Sequence, residues 1–153
     1  MLMLLFYVGD DLYALDSAQV VEIIPRVVLR KIHHAPDYVA GLFNYRGVIV
    51  PVIDLCHLIQ GKASRPYLST RIIMVNYIAK DNTKRCLGLM TERVTETLNK
   101  SDTEVMGVET EFDEAHPYLG NIIMDEKGMI QRIRLEYLLS DSQHKYLLAT
   151  AGG

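Results

Sequence analysis

Three groups of side chains have the residue types that metal binding or catalysis requires. His33 is adjacent to His34, and Cys56 precedes His57. A cluster of carboxylates is formed by Glu109, Glu111, Asp113 and Glu114. Imidazole groups bind metal ions, a thiol beside an imidazole can act as a nucleophile, and paired carboxylates can transfer protons.

The spacing of these residues favours structural roles over chemistry. Neighbours on a strand point to opposite faces, so His33 and His34 cannot share a metal ion. Neighbours on a helix also face apart, which separates the Cys56 thiol from the His57 ring. A charge cluster is usually a solvated loop. The sequence has no glycine-rich phosphate loop and no Gly-x-Ser-x-Gly motif. We therefore expect no catalytic residues, no metal and no cofactor.

The composition is that of an ordinary globular protein. The 153 residues are 49% apolar, and 16 basic against 19 acidic side chains give a formal net charge of −3. Without a run of Lys or Arg, no nucleic-acid partner is expected. Cys56 and Cys86 lack C-x-x-C spacing and are expected to be reduced core residues. The apolar residues 1–8 are too few for a membrane span or signal peptide, so we expect a cytoplasmic protein without direct membrane insertion.

A glycine-flanked turn and the strand after it are the most distinctive part of the chain. From Val48 to Ile53 every residue is apolar, so both faces of this strand are expected to be covered. Pro51 offers no N–H, which indicates an edge, a bulge or a barrel corner. Gly41 and Gly47 flank the polar turn that carries Arg46.

Short strands with turn signals between them make up most of the chain. Strands are predicted at 1–8, 12–15, 20–24, 27–32, 48–53, 72–78, 86–90, 118–124 and 129–133, and residues 94–98 alternate weakly between apolar and polar side chains. This pattern favours a β-sandwich or barrel over an alternating βα fold. Asp54 is expected to cap a helical turn that ends at Gly61. The polar stretch 61–66 is the expected internal boundary, and a loose tail is expected from about Asp141.

Four stretches resemble the CheW-like family of bacterial chemosensory coupling proteins. The central stretch, Gly-x-x-Asn-x-Arg-Gly-x-x-x-Pro-Val-x-Asp-Leu, runs from Gly41 to Leu55. The other three stretches are residues 12–24, 35–39 and 88–94. Taken together, the resemblance spans roughly residues 3–140, which is nearly the whole chain. Tyr45 stands where leucine is usual in the family, and Thr91-Glu92 replaces a frequent Val-Asp.

The resemblance implies a mainly β fold with two small five-stranded β-barrel subdomains around a shared apolar core, together with short helical turns. A single CheW-like domain would cover residues 1–153. Its first subdomain would take residues 1–61 with C-terminal contributions, its second residues 67–140, and residues 141–153 would be a flexible tail.

The resemblance also implies a non-enzymatic adaptor. Such a protein couples the cytoplasmic tip of chemoreceptors to the regulatory domain of a CheA-type histidine kinase, and is recruited to membrane-associated receptor arrays. The implied receptor-binding residues are Val20, Glu22, Gly41, Asn44 and Arg46. The implied kinase-binding residues are Gly88 and Gly120.

Purely structural roles for the same residues are also compatible with the sequence. Arg46 could pair with a nearby acidic residue and hold its turn, and Glu22 could be an exposed residue on an alternating strand. Gly88 and Gly120 could mark a bulge or a bend. The alternative function is a small-ligand-binding or enzymatic β-barrel that uses the acidic loop and the histidines.

Overall fold

A computed structural model describes residues 1–79, 81–101 and 115–140, together with residues 143, 146 and 147. The acidic cluster from Glu109 to Glu114 and most of the expected tail lie outside the described residues. None of the described helices is both long enough and apolar enough to cross a bilayer.

The described part of the chain is built mainly from strands. They are β1 (Leu2–Val8), β2 (Asp11–Asp16), β3 (Val20–Pro25), β4 (Val39–Tyr45), β5 (Val48–Asp54), β6 (Arg71–Ile78), β7 (Lys84–Thr91), β8 (Arg93–Asn99), β9 (Leu119–Asp125) and β10 (Gly128–Ile133). One short helix, α1 (Leu55–Gln60), follows β5, and 3-10 turns cover Ser17–Gln19 and Leu135–Tyr137.

The strands form two five-stranded sheets. The terminal sheet has the order β8-β1-β2-β10-β9, and the middle sheet has the order β3-β6-β7-β5-β4. Most pairs are antiparallel, but β10 pairs with β2 and β5 pairs with β7 in parallel. The mainly β fold with two five-stranded units is confirmed, although neither strand ladder closes on itself into a barrel.

The division of the chain between the two sheets does not follow the expected boundary near residue 61. The middle sheet takes the continuous segment 20–91, which spans that boundary. The terminal sheet joins β1 and β2 from the start of the chain to β8, β9 and β10. Local turn signals mark where strands end, but strand order is decided by which apolar faces pack together, and that information is not local.

Three apolar cores explain why so many strands are apolar on both faces. In β1, Leu4 and Phe6 enter a core shared by both sheets, whereas Met3 and Leu5 enter the core of the terminal sheet. The strands of the middle sheet alternate in the same way between the shared core and their own core. Because alternate residues point to opposite faces, a strand between two cores needs apolar residues at every position. The implied shared apolar core is therefore present.

The expectation for β5 holds from Val50 onward and is wrong for its first two residues. Val50, Val52 and Ile53 are buried, but Val48 is 57% exposed and Ile49 is 46% exposed. The parallel pairing with β7 begins only at Val52, so the start of β5 has β4 alone as a neighbour. Pro51, which offers no N–H, lies just before that pairing begins.

Helix α1 begins and ends as predicted. The Asp54 Oδ1 atom accepts hydrogen bonds from the backbone N–H groups of Cys56 and His57, at 3.1 and 3.3 Å. Gly61 ends the helix with φ of +76°, a left-handed conformation that suits glycine. Asp54 also accepts from the backbone N–H of Ser64 at 2.7 Å and from its hydroxyl at 2.6 Å. One buried carboxylate thus fixes both the helix and the loop after it.

Candidate functional site

The turn that carries Arg46 is a tight hairpin between β4 and β5. Its central residues, Arg46 and Gly47, both have positive φ, +52° and +87°. Positive φ at both positions is the type I′ geometry that matches the twist of two paired strands. The Asn44 Oδ1 atom accepts a hydrogen bond from the Gly47 N–H at 2.7 Å. Asn44 therefore stabilises the turn from which the Arg46 side chain projects.

Glu22 and Arg46 meet, although they come from opposite edges of the middle sheet. Arg46 Nη2 lies 3.0 Å from Glu22 Oε1, and the side chains are 69% and 34% exposed respectively. The Tyr45 hydroxyl donates a hydrogen bond to the same Glu22 oxygen. The Arg46 guanidinium carbon also lies 5.2 Å from the centre of the Tyr45 ring. We call Glu22, Tyr45 and Arg46 the edge cluster.

In the edge cluster, the Tyr45 hydroxyl and the Arg46 guanidinium both face the Glu22 carboxylate. Burial, followed by the hydrogen bond to Glu22, raises the pKa of Tyr45. The phenol therefore keeps its proton and remains a donor. The cluster can therefore present the exposed guanidinium of Arg46 to a partner.

A backbone bridge also joins β4 to the segment that follows β3. Arg30 and Leu42 exchange backbone hydrogen bonds of 2.8 and 2.9 Å. Gly41, beside Leu42, has φ of +150°, and an added Cβ there would lie 2.7 Å from the Arg30 carbonyl oxygen and 2.8 Å from Leu29 Cβ. Only glycine lets the backbones approach this closely. The implied receptor-binding residue Gly41 thus supports the site through the backbone.

Val20 lies near this region but outside the edge cluster. It is half-buried and packs against the shared core, and a register shift separates it from Glu22. Val21 and Ile23, on either side of Glu22, are each 41% exposed. Glu22 is therefore not the exposed residue of an alternating strand, because the exposed positions are apolar. The sequence analysis did not predict Val21, Ile23 or Tyr45 as site residues.

The implied kinase-binding glycines have packing explanations within the chain. Gly88 is buried in β7, where an added Cβ would lie 2.9 Å from Ile72 Cγ2 and 3.0 Å from Val52 Cγ2. Gly120 lies at the register shift between β9 and β10, where an added Cβ would lie 3.2 Å from both Cβ and the carbonyl oxygen of Arg132. The bulge interpretation therefore applies to Gly120, and close packing of the middle-sheet core applies to Gly88.

The other candidate chemistry receives little support from the described residues. His33 and His34 are exposed, and no group of three described His, Cys, Asp or Glu residues could hold a metal ion. Burial raises the pKa of the Cys56 thiol, which disfavours the thiolate needed for nucleophilic chemistry. Cys56 and Cys86 are both free thiols.

One polar cleft lies apart from all the residues predicted for a site. It has a volume of about 700 Å³ and lies beside the β1–β2 turn, the segment after α1 and the β7–β8 junction. Within it, Arg65 Nε pairs with Glu92 Oε2 at 3.0 Å, and Arg93 lies 5.0 Å from the centre of the Tyr7 ring. These arginines are engaged with neighbouring side chains of the cleft.

Comparisons with known proteins agree with the family resemblance and with the fold. The family model described as the CheW-like domain matches residues 2–143. The chain is 27% identical over 141 residues to the chemotaxis protein CheW of Klebsiella aerogenes, covering 92% of this chain and 82% of that protein. It is 25% identical over 134 residues to the chemotaxis protein CheW of Helicobacter pylori, covering 88% and 78%.

A solved structure shares the architecture as well. The crystal structure of the scaffolding protein TtCheW from Thermoanaerobacter tengcongensis matches with a TM-score of 0.76 and 26% identity, covering 95% of this chain and 92% of that one. The family model, the similar sequences and the shared architecture all extend over nearly the whole chain. The protein therefore belongs to the CheW-like family.

Proposed function

We propose that this protein is a non-enzymatic adaptor that couples the cytoplasmic tip of chemoreceptors to the regulatory domain of a CheA-type histidine kinase. The family membership and the exposed Arg46 of the edge cluster support this proposal. The adaptor works in the cytoplasm and is recruited to membrane-associated receptor arrays. It uses no cofactor and carries out no reaction of its own.

The receptor tip binds at the edge cluster. Arg46 supplies a planar group with several donors on a rigid hairpin, and Arg is enriched at protein interfaces for this reason. The exposed Val21 and Ile23 flank Glu22 and add apolar area beside the charged pair. Gly41 and Asn44 hold the backbone that carries Arg46, while Val20 anchors the start of β3 on the shared core.

The kinase regulatory domain binds a second surface at β9, the strand that carries Gly120, whereas the implied kinase-binding residue Gly88 is buried in β7 and acts through packing. Gly120 lies on β9, which is an edge strand of the terminal sheet. An edge strand offers backbone groups to a partner. Gly120 itself is buried against Arg132, so its bulge shapes this edge strand and leaves the contact with the partner to its neighbours. Gly88 contributes by letting β7 pack closely within the middle sheet.

Coupling follows from two surfaces on one packed body. A receptor that changes conformation changes its contacts at the edge cluster, and the difference in binding free energy biases the kinase bound elsewhere on the adaptor. The single observation that carries the proposal is the position of Arg46, whose exposed side chain projects from the tight turn within the stretch 41–55 that resembles the family.

A reconstitution experiment tests the proposal. The purified adaptor is titrated by calorimetry with a soluble receptor-tip fragment and, separately, with a kinase regulatory domain from the same organism. Binding of both, and a ternary complex by analytical ultracentrifugation, is the expected result. If the adaptor binds neither partner while remaining folded, the proposal is wrong.

A further inference from the structure

Tyr45 contributes both a ring and a hydroxyl to the edge cluster. Its hydroxyl and Arg46 share one acceptor, Glu22 Oε1. Its ring packs on the rim of the middle-sheet core, with the Phe43 ring 6.0 Å away in an edge-on arrangement. The phenol is therefore fixed at its base by packing and at its tip by a hydrogen bond.

Arg46 depends on these contacts for a defined position. Its side chain is 69% exposed, and its backbone has the left-handed conformation of the turn. Among the described residues, its guanidinium contacts the Glu22 carboxylate and the Tyr45 ring. A long exposed side chain normally loses rotamer freedom when it binds a partner, and this loss weakens binding. A side chain that is already ordered in the free protein loses less, so binding is tighter.

Glu22 in turn depends on Tyr45. The carboxylate belongs to β3, whereas Arg46 projects from the hairpin after β4, at the other edge of the sheet. Tyr45 is rigid compared with Arg46, because its ring is half-buried and has only two side-chain torsions. A hydrogen bond from a fixed phenol therefore locates the carboxylate, and the carboxylate locates the guanidinium.

We propose that Tyr45 is a positioning residue, which holds Glu22 through its hydroxyl and thereby orders Arg46 for recognition of a partner. The inference rests on the proposed function in one respect, namely that Arg46 contacts the receptor tip. Tyr45 itself does not have to touch the receptor.

The decisive variant is Tyr45→Phe, which removes the hydroxyl and keeps the ring. Receptor-tip affinity, measured by calorimetry, is expected to fall about 3- to 10-fold, the range for the ordering of one long side chain. Tyr7→Phe is the matched control, because Tyr7 lies beneath the exposed Arg93 at a similar distance, 5.0 Å, in the terminal sheet. The control is expected to keep wild-type affinity.

A double-mutant cycle separates positioning from direct contact. In an Arg46→Ala background, Tyr45→Phe is expected to have no further effect on receptor affinity, because Tyr45 acts through Arg46. If the loss persists in that background, Tyr45 touches the receptor directly and the positioning role is wrong. If Tyr45→Phe binds like the wild type while Arg46→Ala is weakened, the positioning role is also wrong, but the proposed function stands.

A second measurement does not require the receptor. The order parameter of the Arg46 Nε–H group, measured by NMR relaxation in the free protein, is expected to fall in Tyr45→Phe and to be unchanged in Tyr7→Phe. An unchanged Arg46 order parameter in Tyr45→Phe would overturn the inference, even for a protein that binds no receptor. Failure of the wild type to bind the receptor tip would instead contradict the proposed function.

Discussion

The guanidinium of Arg46 lies 3.0 Å from the carboxylate of Glu22, although the two residues belong to opposite edges of one five-stranded sheet. The sheet curls far enough for a side-chain contact to link its edges at this end. Nearby in the chain, a backbone bridge between Arg30 and Leu42 joins β4 to the segment that follows β3. The proposed receptor site is thus built where the curled sheet nearly closes.

Replacing Arg46 with alanine should weaken receptor binding far more than folding. We expect Arg46→Ala to lose about 1.5–3 kcal/mol of receptor affinity, the range for hydrogen bonds to a charged group. Its free energy of unfolding should change by at most about 1 kcal/mol, because exposed ion pairs contribute little. Calorimetry and urea unfolding measure the two quantities on one preparation.

Arg93→Ala is the matched control for Arg46→Ala, because Arg93 is also exposed and stacked on a tyrosine. It should leave receptor affinity unchanged. A purely structural role for Arg46 predicts the opposite pattern, a large fall in stability with unaltered receptor affinity per folded molecule.

Two glycines of the same hairpin should respond differently to alanine. Gly41→Ala combines an unfavourable positive φ with a collision against the Arg30 carbonyl oxygen, whereas Gly47→Ala meets no atom within 4 Å. A strained conformation costs about 1–3 kcal/mol. We therefore expect both variants to be destabilised in urea unfolding, and Gly41→Ala more strongly. Equal losses would show that the close approach to Arg30 contributes nothing.

Alanine at Gly88 should test packing rather than recognition. The added methyl group would press on Ile72 and Val52, and overpacking of a core costs about 1–3 kcal/mol. The expected result is a lower melting temperature with unchanged kinase affinity per folded molecule. Gly120 is also buried, against Arg132 on the edge of the terminal sheet, so Gly120→Asp should lower stability and, in the molecules that remain folded, weaken kinase binding. Wild-type kinase affinity in folded Gly120→Asp would remove that residue from the kinase surface.

Replacing Asp54 should lower the free energy of unfolding more than replacing most other polar residues that the structure describes. Asp54→Ala would leave the donors of Cys56, His57 and Ser64 without their acceptor. We expect a loss of about 2–4 kcal/mol from the lost cap and the unsatisfied buried donors. Asp54→Asn keeps one acceptor oxygen and should lose less. Chemical denaturation of both variants gives the comparison, and equal losses would contradict the hydrogen-bond explanation.

The two thiols should make stability fall in alkaline solution. Burial raises the pKa of both Cys56 and Cys86 above the ordinary thiol value of 9.0. The folded protein therefore keeps thiol protons that the unfolded chain has already lost, so raising the pH favours unfolding. Urea unfolding at about pH 8 and about pH 10 should show this decline. The decline should be smaller in the Cys56→Ala, Cys86→Ala double variant, and an identical slope would rule out the thiols as its cause.

Local signals in the sequence predict the elements of the fold better than their arrangement. The cap at Asp54, the stop at Gly61 and the hairpin that pairs β9 with β10 follow from residues close together in the chain. The exposure of Val48 could not be predicted, because it depends on where β7 begins to pair. The strand orders depend on packing between distant segments in the same way.

The site was predictable in part for the same reason. The motif placed Arg46 on a glycine-containing turn, and Glu22 was named through the resemblance. Their direct contact, and the Tyr45 hydroxyl that joins it, arise only when the middle sheet curls. The one signal for Tyr45 was its departure from the usual leucine.

The order of strands has a consequence for synthesis on the ribosome. The middle sheet is continuous in sequence from Val20 to Thr91, so all its strands are available before β9 and β10 are made. The first hairpin, β1–β2, must wait for β8 and β10 before it gains its other neighbours. The nascent chain therefore carries two apolar strands without a complete sheet for most of its translation, and unpaired strands of this kind are prone to aggregate. This hairpin is therefore the part of the newly made chain that stays longest without all of its strand neighbours.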